Sequence, residues 1–224
     1  MIPLKDSHPA KIFPFWTIAI IVLSVFVFFI QLNSPDLESF IYQYALVPSL
    51  VDFGNWSTLI PFVTSQYLHG GFLHVASNML FLWVFGDNVE EKLGQVFFPI
   101  FYTLAGVVGG LAQYTLSPYS DIPMLGASGA VAGVLGAYFA LFPHHTIKTL
   151  VPVMGFVSVV NIPASVMLIY WFVTQLFSGV GSIAFSPSEV GGVAYLAHIG
   201  GFAAGWLIGS SYKRNPQLSP NQLH

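Results

Sequence analysis

Phe13 to Leu32 reads FPFWTIAIIVLSVFVFFIQL, twenty residues without one charged side chain. A helix rises about 1.5 Å per residue, so this run covers roughly 30 Å, the hydrocarbon thickness of a bilayer. Lys5 and Lys11 precede it, as the basic region of a secretory signal would. The run is longer than a usual signal core and is not followed by a small-x-small cleavage site. It is therefore read as a retained first membrane span.

The rest of the chain has the same character. Of 224 residues, 55% are hydrophobic and only 7% charged, with mean hydropathy +0.74. A soluble domain carries about a quarter of its residues as charges, so this surface is built to face lipid. At about 20 residues per span, the length allows six or seven helices with short loops. Apolar stretches mark a second span from Gly71 to Gly86, a third from Val96 to Leu116 and a short fourth from Gly126 to Phe142. A fifth runs from Ala164 to Phe177 and a sixth from Gly191 to Ser210.

Between the first two spans, residues 33–69 are broken by Pro35, Pro48, Gly54 and Pro61 and are read as a partly interfacial loop. Ile147 to Val160 is apolar but holds Lys148, Pro152 and Gly155, so it is read as a buried or re-entrant connection. The expected fold is an all-α polytopic bundle of six transmembrane helices. Residues 13–211 form the membrane domain, and residues 1–12 and 212–224 are cytoplasmic tails.

Charge placement supports that count. With the amino terminus inside, the inner segments hold Lys5, Lys11, Lys92, Lys148, Lys213 and Arg214, every Lys and Arg in the chain. The outer loops hold only acids, among them Asp36, Glu38, Asp52, Asp121 and Glu189. An odd number of spans breaks this positive-inside pattern. Net charge is −3 with scattered cations, which gives no footing for nucleic acid, and the absence of cysteine excludes thiol chemistry.

Small residues predict the packing. Ala197, Gly201, Gly205 and Gly209 recur every four residues on span six, as Gly129, Gly133 and Ala137 do on span four. Gly106 and Gly110 do so on span three. Such faces let helix backbones approach closely in lipid. Spans four and six are thereby expected to meet.

Polar groups at membrane depth are costly, and each is a functional candidate. The six expected spans contain no Asp, Glu, Lys or Arg. They do contain His74 and Asn78 on span two, Ser128 on span four and His198 on span six. All three spans enter from the outer side, so the four residues converge on one depth in the outer half. A serine hydroxyl becomes a nucleophile when an imidazole takes its proton. The Ser128 backbone N–H, the Asn78 amide and a His74 N–H are candidate donors to an oxyanion. No carboxylate is at that depth, so the arrangement is a Ser–His dyad. His69 is a candidate loop anchor or ligand.

At these residues the sequence resembles the rhomboid intramembrane serine proteases. The run His69-Gly-Gly-Phe-Leu-His74-Val-Ala-Ser-Asn78 is similar to the family's second-span motif, and Gly86-Asp-Asn-Val-Glu90 with Leu93-Gly94 is similar to the stretch that closes that span. Gly126-Ala-Ser128-Gly129 matches the GxSG motif, and Ala197-His198-Ile-Gly-Gly201-Phe-Ala-Ala-Gly205 matches the AHxxGxxxG of the last span. The resemblance implies Ser128 as nucleophile, His198 as base, and Asn78 and His74 in the oxyanion hole, with Gly126, Gly129, His69 and Gly201 in support. It implies no metal and no cofactor. Some members stack a Tyr, four residues after the nucleophile, on the histidine; here that position is Ala132.

The implied activity is hydrolysis of single-span membrane proteins near the outer end of their transmembrane segment. Substrate would enter between spans two and five, beneath a lid at Ser178 to Val190. The expected location is a multi-pass position in a bacterial inner membrane, with the site opening to the outer side. Oligomeric state is not readable. Three rival readings are an inactive rhomboid-like protein that binds membrane clients, a small transporter, and a metal site on His69, His74 and His198. Both dyad residues are present, no inverted repeat or midplane charge is visible, and no HExxH occurs, so each rival is weaker.

Overall fold

The structure is a computed structural model and describes residues 1–153, 156–185 and 195–215. Six long helices dominate: α1 (Phe15–Leu32), α4 (Phe72–Leu93), α5 (Phe97–Leu116), α6 (Ser128–Leu141), α7 (Ala164–Phe185) and α8 (Tyr195–Arg214). Two short helices, α2 (Leu37–Tyr44) and α3 (Pro61–Thr64), lie in the segment between α1 and α4. Asp36 opens α2 by accepting from the backbone N–H and hydroxyl of Ser39, and those bonds hold its pKa below the usual carboxylate value.

The surface is apolar where a soluble protein's would be polar. On α1 the buried face is Thr17, Ile20, Ser24, Phe28 and Gln31, while Val22, Phe26 and Phe29 are exposed. This is the pattern of a helix whose polar groups seek protein and whose apolar groups seek lipid. By length and composition α1 and α5 are each sufficient to cross a membrane, with mean hydropathies of 2.5 and 1.3. The chain is an integral membrane protein. At 14 residues, α6 is about 21 Å long, shorter than the roughly 30 Å hydrocarbon core.

Glycine decides how the helices meet. A Cβ at Gly205 would overlap the carbonyl oxygen of Gly133, and one at Gly201 would overlap that of Gly129. At Gly209 it would sit 2.8 Å from the oxygen of Ala137. The small-residue faces of α6 and α8 are thus in backbone contact, as the four-residue spacing predicts. Around them Phe85, Phe98, Phe101, Tyr102, Leu135 and Tyr138 are fully buried.

Two expectations are corrected. The connection after α6 is not a buried or re-entrant segment but a β-hairpin, β2 (Thr146–Val153) with β3 (Phe156–Pro163), joined by β1 (Ile2–Asp6) in an antiparallel sheet of order β1-β2-β3. The fold is therefore mostly helical and not all-α. Thr146, Ile147, Thr149, Val151 and Val153 on one strand, and Val157, Val159, Val160 and Ile162 on the other, are β-branched residues that pack on a pleated surface. Apolarity alone did not separate such strands from a re-entrant segment. The second correction concerns the helix limits. α4 runs past Gly86 to Leu93, and α7 runs past Phe177 to Phe185.

The extension of α4 brings acids into the bundle. Glu90, fully buried, accepts from the backbone N–H groups of Trp16 and Thr17 at 2.9 and 2.8 Å and from the Thr17 hydroxyl at 2.8 Å. A carboxylate thereby satisfies the free N–H groups that open α1 and faces its positive dipole end. The first residues of the chain are tied to the same region, through Ala10 N–H to Asp87 and Lys11 N–H to Glu91.

Candidate active site

Ser128 is the first residue of α6, and its helix starts without a side-chain cap. The opening N–H groups of a helix have no intrahelical partner, so they are free to meet an anion. Gly126 sets the approach. Its φ of +127° suits glycine, and a Cβ there would lie 2.8 Å from the Cε1 and Nε2 of His74. Its own N–H donates to the carbonyl of Ser65 at 2.9 Å.

His198 is the fourth residue of α8 and is buried. Its Nε2 lies 2.7 Å from the Ser128 hydroxyl oxygen. The glycine contacts of α6 and α8 bring these residues together across 70 positions of sequence. On the far side of the ring, Nδ1 lies 2.7 Å from the Gln175 side-chain oxygen. With that oxygen accepting, the proton sits on Nδ1, and Nε2 keeps a lone pair facing the Ser128 O–H. Trp171, one turn before Gln175 on α7, tilts over the His198 ring with centroids 5.9 Å apart. Trp171 thus sets an aromatic ring beside His198, where position 132 carries only Ala.

His74 and Asn78 lie one turn apart at the start of α4. The His74 Nδ1 accepts from the Gly70 N–H at 3.3 Å, which leaves Nε2 as the donor on the side of Gly126. The Asn78 Nδ2 is buried without a hydrogen-bond partner among the described residues, 3.8 Å from where a Gly126 Cβ would stand. A buried amide nitrogen without a partner costs free energy, so it is a donor in need of an acceptor.

His69 is fully buried beneath this loop. Its Nε2 faces the Ala127 N–H at 3.5 Å, and its ring meets His74 edge-on at 5.2 Å. Gln31 of α1 holds its backbone from both sides, donating to the His69 carbonyl at 2.7 Å and accepting its N–H at 3.1 Å. His69 therefore stands behind the turn that carries Ser128. Gly129 and Gly201 are packing residues, each in the α6–α8 contact.

Gln175, Trp171 and Gln31 were not singled out in the sequence. Gln175 and Trp171 are four residues apart on one apolar helix, and the Gln175 amide at depth is the signal that could have found them. The stretch expected to act as a lid is helical as far as Phe185, and residues 186–190 lie outside the described residues.

The family model for the Rhomboid domain matches residues 56–215, a span that holds every residue of this constellation except Gln31. The chain belongs to the rhomboid family. It is 38% identical over 133 residues to Rhomboid protease GluP of Bacillus subtilis, a match that covers 57% of this chain and 25% of that protein. Over 155 residues it is 33% identical to the mitochondrial Rhomboid protein 1 of Saccharomyces cerevisiae, covering 67% of this chain and 41% of the other. RHOMBOID-like protein 5 of Arabidopsis thaliana is 32% identical over 188 residues, or 84% and 54% of the two chains. The matched part of these rhomboid relatives is thus about a quarter to a half of their length.

Proposed function

We propose that this rhomboid is an intramembrane serine endopeptidase. The observation that carries the reading is the 2.7 Å contact between Ser128 Oγ and His198 Nε2, with Gln175 Oε1 2.7 Å from the opposite ring nitrogen. In the proposed reaction Ser128 Oγ attacks a substrate carbonyl carbon as His198 Nε2 takes its proton. The oxyanion receives hydrogen bonds from the Ser128 N–H, the His74 Nε2–H and the Asn78 amide. As the intermediate collapses, the imidazolium returns its proton to the leaving amine, and an acyl group stays on Ser128. A water then attacks the ester with His198 again as base, releasing the second product and restoring the hydroxyl.

The substrates are proposed to be single-span membrane proteins, cut in the outer half of the span. Six spans with both termini cytoplasmic underlie that depth. The site stands at the starts of α4, α6 and α8, whereas Lys92, Lys213 and Arg214 stand at the ends of α4 and α8. Positive-inside placement then turns the site outward, and a bacterial inner membrane is the proposed location. An intact substrate helix hides its carbonyls, so a cleavable one carries Gly or Pro near the cut.

Purified protein with a tagged single-span substrate tests this, with Ser128→Ala and His198→Ala alongside. Cleavage by wild type and a loss of at least about 10³-fold in each variant is expected. Wild type that neither cuts nor takes a fluorophosphonate on Ser128 would instead mark a client-binding protein.

A further inference from the structure

At the opposite end of α6 from Ser128, three side chains that play no part in the proposed reaction converge. Asp6 ends β1, His8 follows two residues later, and His145 stands between α6 and β2. Each offers one ligand atom, and these atoms all lie within 4.8 Å of one another. We propose that Asp6, His8 and His145 form a Zn²⁺-type metal site that fastens the amino-terminal strand to the bundle.

The carboxylate is built as a ligand. Asp6 is only 4% exposed, and its Oδ2 accepts from Asn88 Nδ2 at 2.8 Å and from the Tyr138 hydroxyl. The Oδ1 accepts the His8 backbone N–H at 2.9 Å and keeps a lone pair. Hydrogen bonds of this kind orient a metal-binding carboxylate in known sites. Around it, Asp87 is a second acid close to Asn88, Ser7 Oγ lies 2.9 Å from His8 Nδ1, and Tyr138 Oη is 3.1 Å from His145 Nδ1.

The two imidazoles are stacked, with centroids 4.3 Å apart and planes 28° from parallel. Tetrahedral zinc with bonds of about 2.0–2.1 Å sets neighbouring ligand atoms roughly 3.4 Å apart. His145 Nδ1 stands 3.4 Å from Asp6 Oδ2, the oxygen that also accepts from Asn88 and Tyr138. Two nitrogens and one oxygen select a borderline transition metal over Mg²⁺ or Ca²⁺, which prefer oxygen. His8 is exposed and His145 half-buried, so an ion has a path in, and water completes the fourth position. The ion bridges two parts of the chain, 139 positions apart at Asp6 and His145, that otherwise meet through hydrogen bonds and a ring stack.

Equilibrium dialysis of full-length protein in detergent, free of any histidine tag, against Zn²⁺ alone tests this. One equivalent per chain is expected, insensitive to excess Mg²⁺, with Co²⁺ giving the visible absorption of a tetrahedral site. His8→Ala and His145→Ala are each expected to weaken binding at least tenfold, and His198→Ala to leave it unchanged. Because His8 is exposed, His8→Ala keeps the test valid if His145→Ala fails to fold. In wild type alone, Zn²⁺ should slow proteolysis at Lys5 and Lys11. Less than a tenth of an equivalent bound, equal binding by His8→Ala, or loss of the ion in His198→Ala would each overturn the proposal and leave a hydrogen-bonded cluster.

Discussion

Gln175 on α7 reaches His198 on α8 with a 2.7 Å contact to Nδ1, on the side of the ring away from Ser128. The contact fixes a tautomer without placing a carboxylate in the bilayer. A neutral amide costs far less to bury than a charge, at the cost of a weaker hold on the developing imidazolium.

Replacing Gln175 by Leu removes that acceptor at similar volume. One hydrogen bond contributes about 0.5–1.5 kcal/mol, so kcat is expected to fall roughly 3- to 10-fold with KM little changed. Gln175→Glu separates positioning from packing, because it restores an acceptor and alters the pH profile. Steady-state kinetics on a model substrate, across pH, is the measurement.

Asn78→Ala removes a donor that has no partner among the described residues. A group used only by the oxyanion contributes in the transition state, so kcat should drop about 10²–10³-fold with KM within roughly twofold. Folding should be unharmed or slightly improved, since a buried unpaired amide disappears. A larger change in KM than in kcat would assign Asn78 to substrate binding.

Gly205→Leu drives a side chain into the carbonyl of Gly133, where neither backbone can yield. A loss of about 3 kcal/mol or more is expected, read as a lower apparent Tm in detergent and early aggregation. Gly71→Ala is the control, because nothing lies within 4 Å of its added Cβ.

Glu90→Ala leaves the Trp16 and Thr17 N–H groups at the start of α1 without their acceptor. Hydrogen bonds to a charged partner contribute about 1.5–3 kcal/mol each, so a loss of at least about 2 kcal/mol is expected. Glu90→Gln, which keeps one acceptor oxygen, should fall between the two. Thermal unfolding followed by helix content checks the order.

The membrane class and the residues of the candidate dyad and candidate oxyanion hole were legible in the chain itself. Lipid forbids unpaired polar groups, so Ser128, His198, His74 and Asn78 stand out against twenty-residue apolar runs. The four-residue spacing of Gly201, Gly205 and Gly209 announced a backbone contact before any partner was known. Hydropathy is a strong local signal, and it needs no knowledge of neighbours.

What the neighbours decided was out of its reach. Thr146–Pro163 is as apolar as a membrane segment, and only the pairing of β2 with β3 and β1 made it a sheet. Glu90 was placed beyond the second span because charge ends a hydropathy run, yet the start of α1 gives it partners at no exposure. Gln175 and Trp171 were two residues among many on an apolar helix until the packing of α7 against α8 set them against His198. Asp6, His8 and His145 meet only because α6 and the hairpin fold back on the chain's first strand. Hydropathy is a property of each residue in turn; hydrogen-bond partnership belongs to pairs, and chain folding alone makes the pairs.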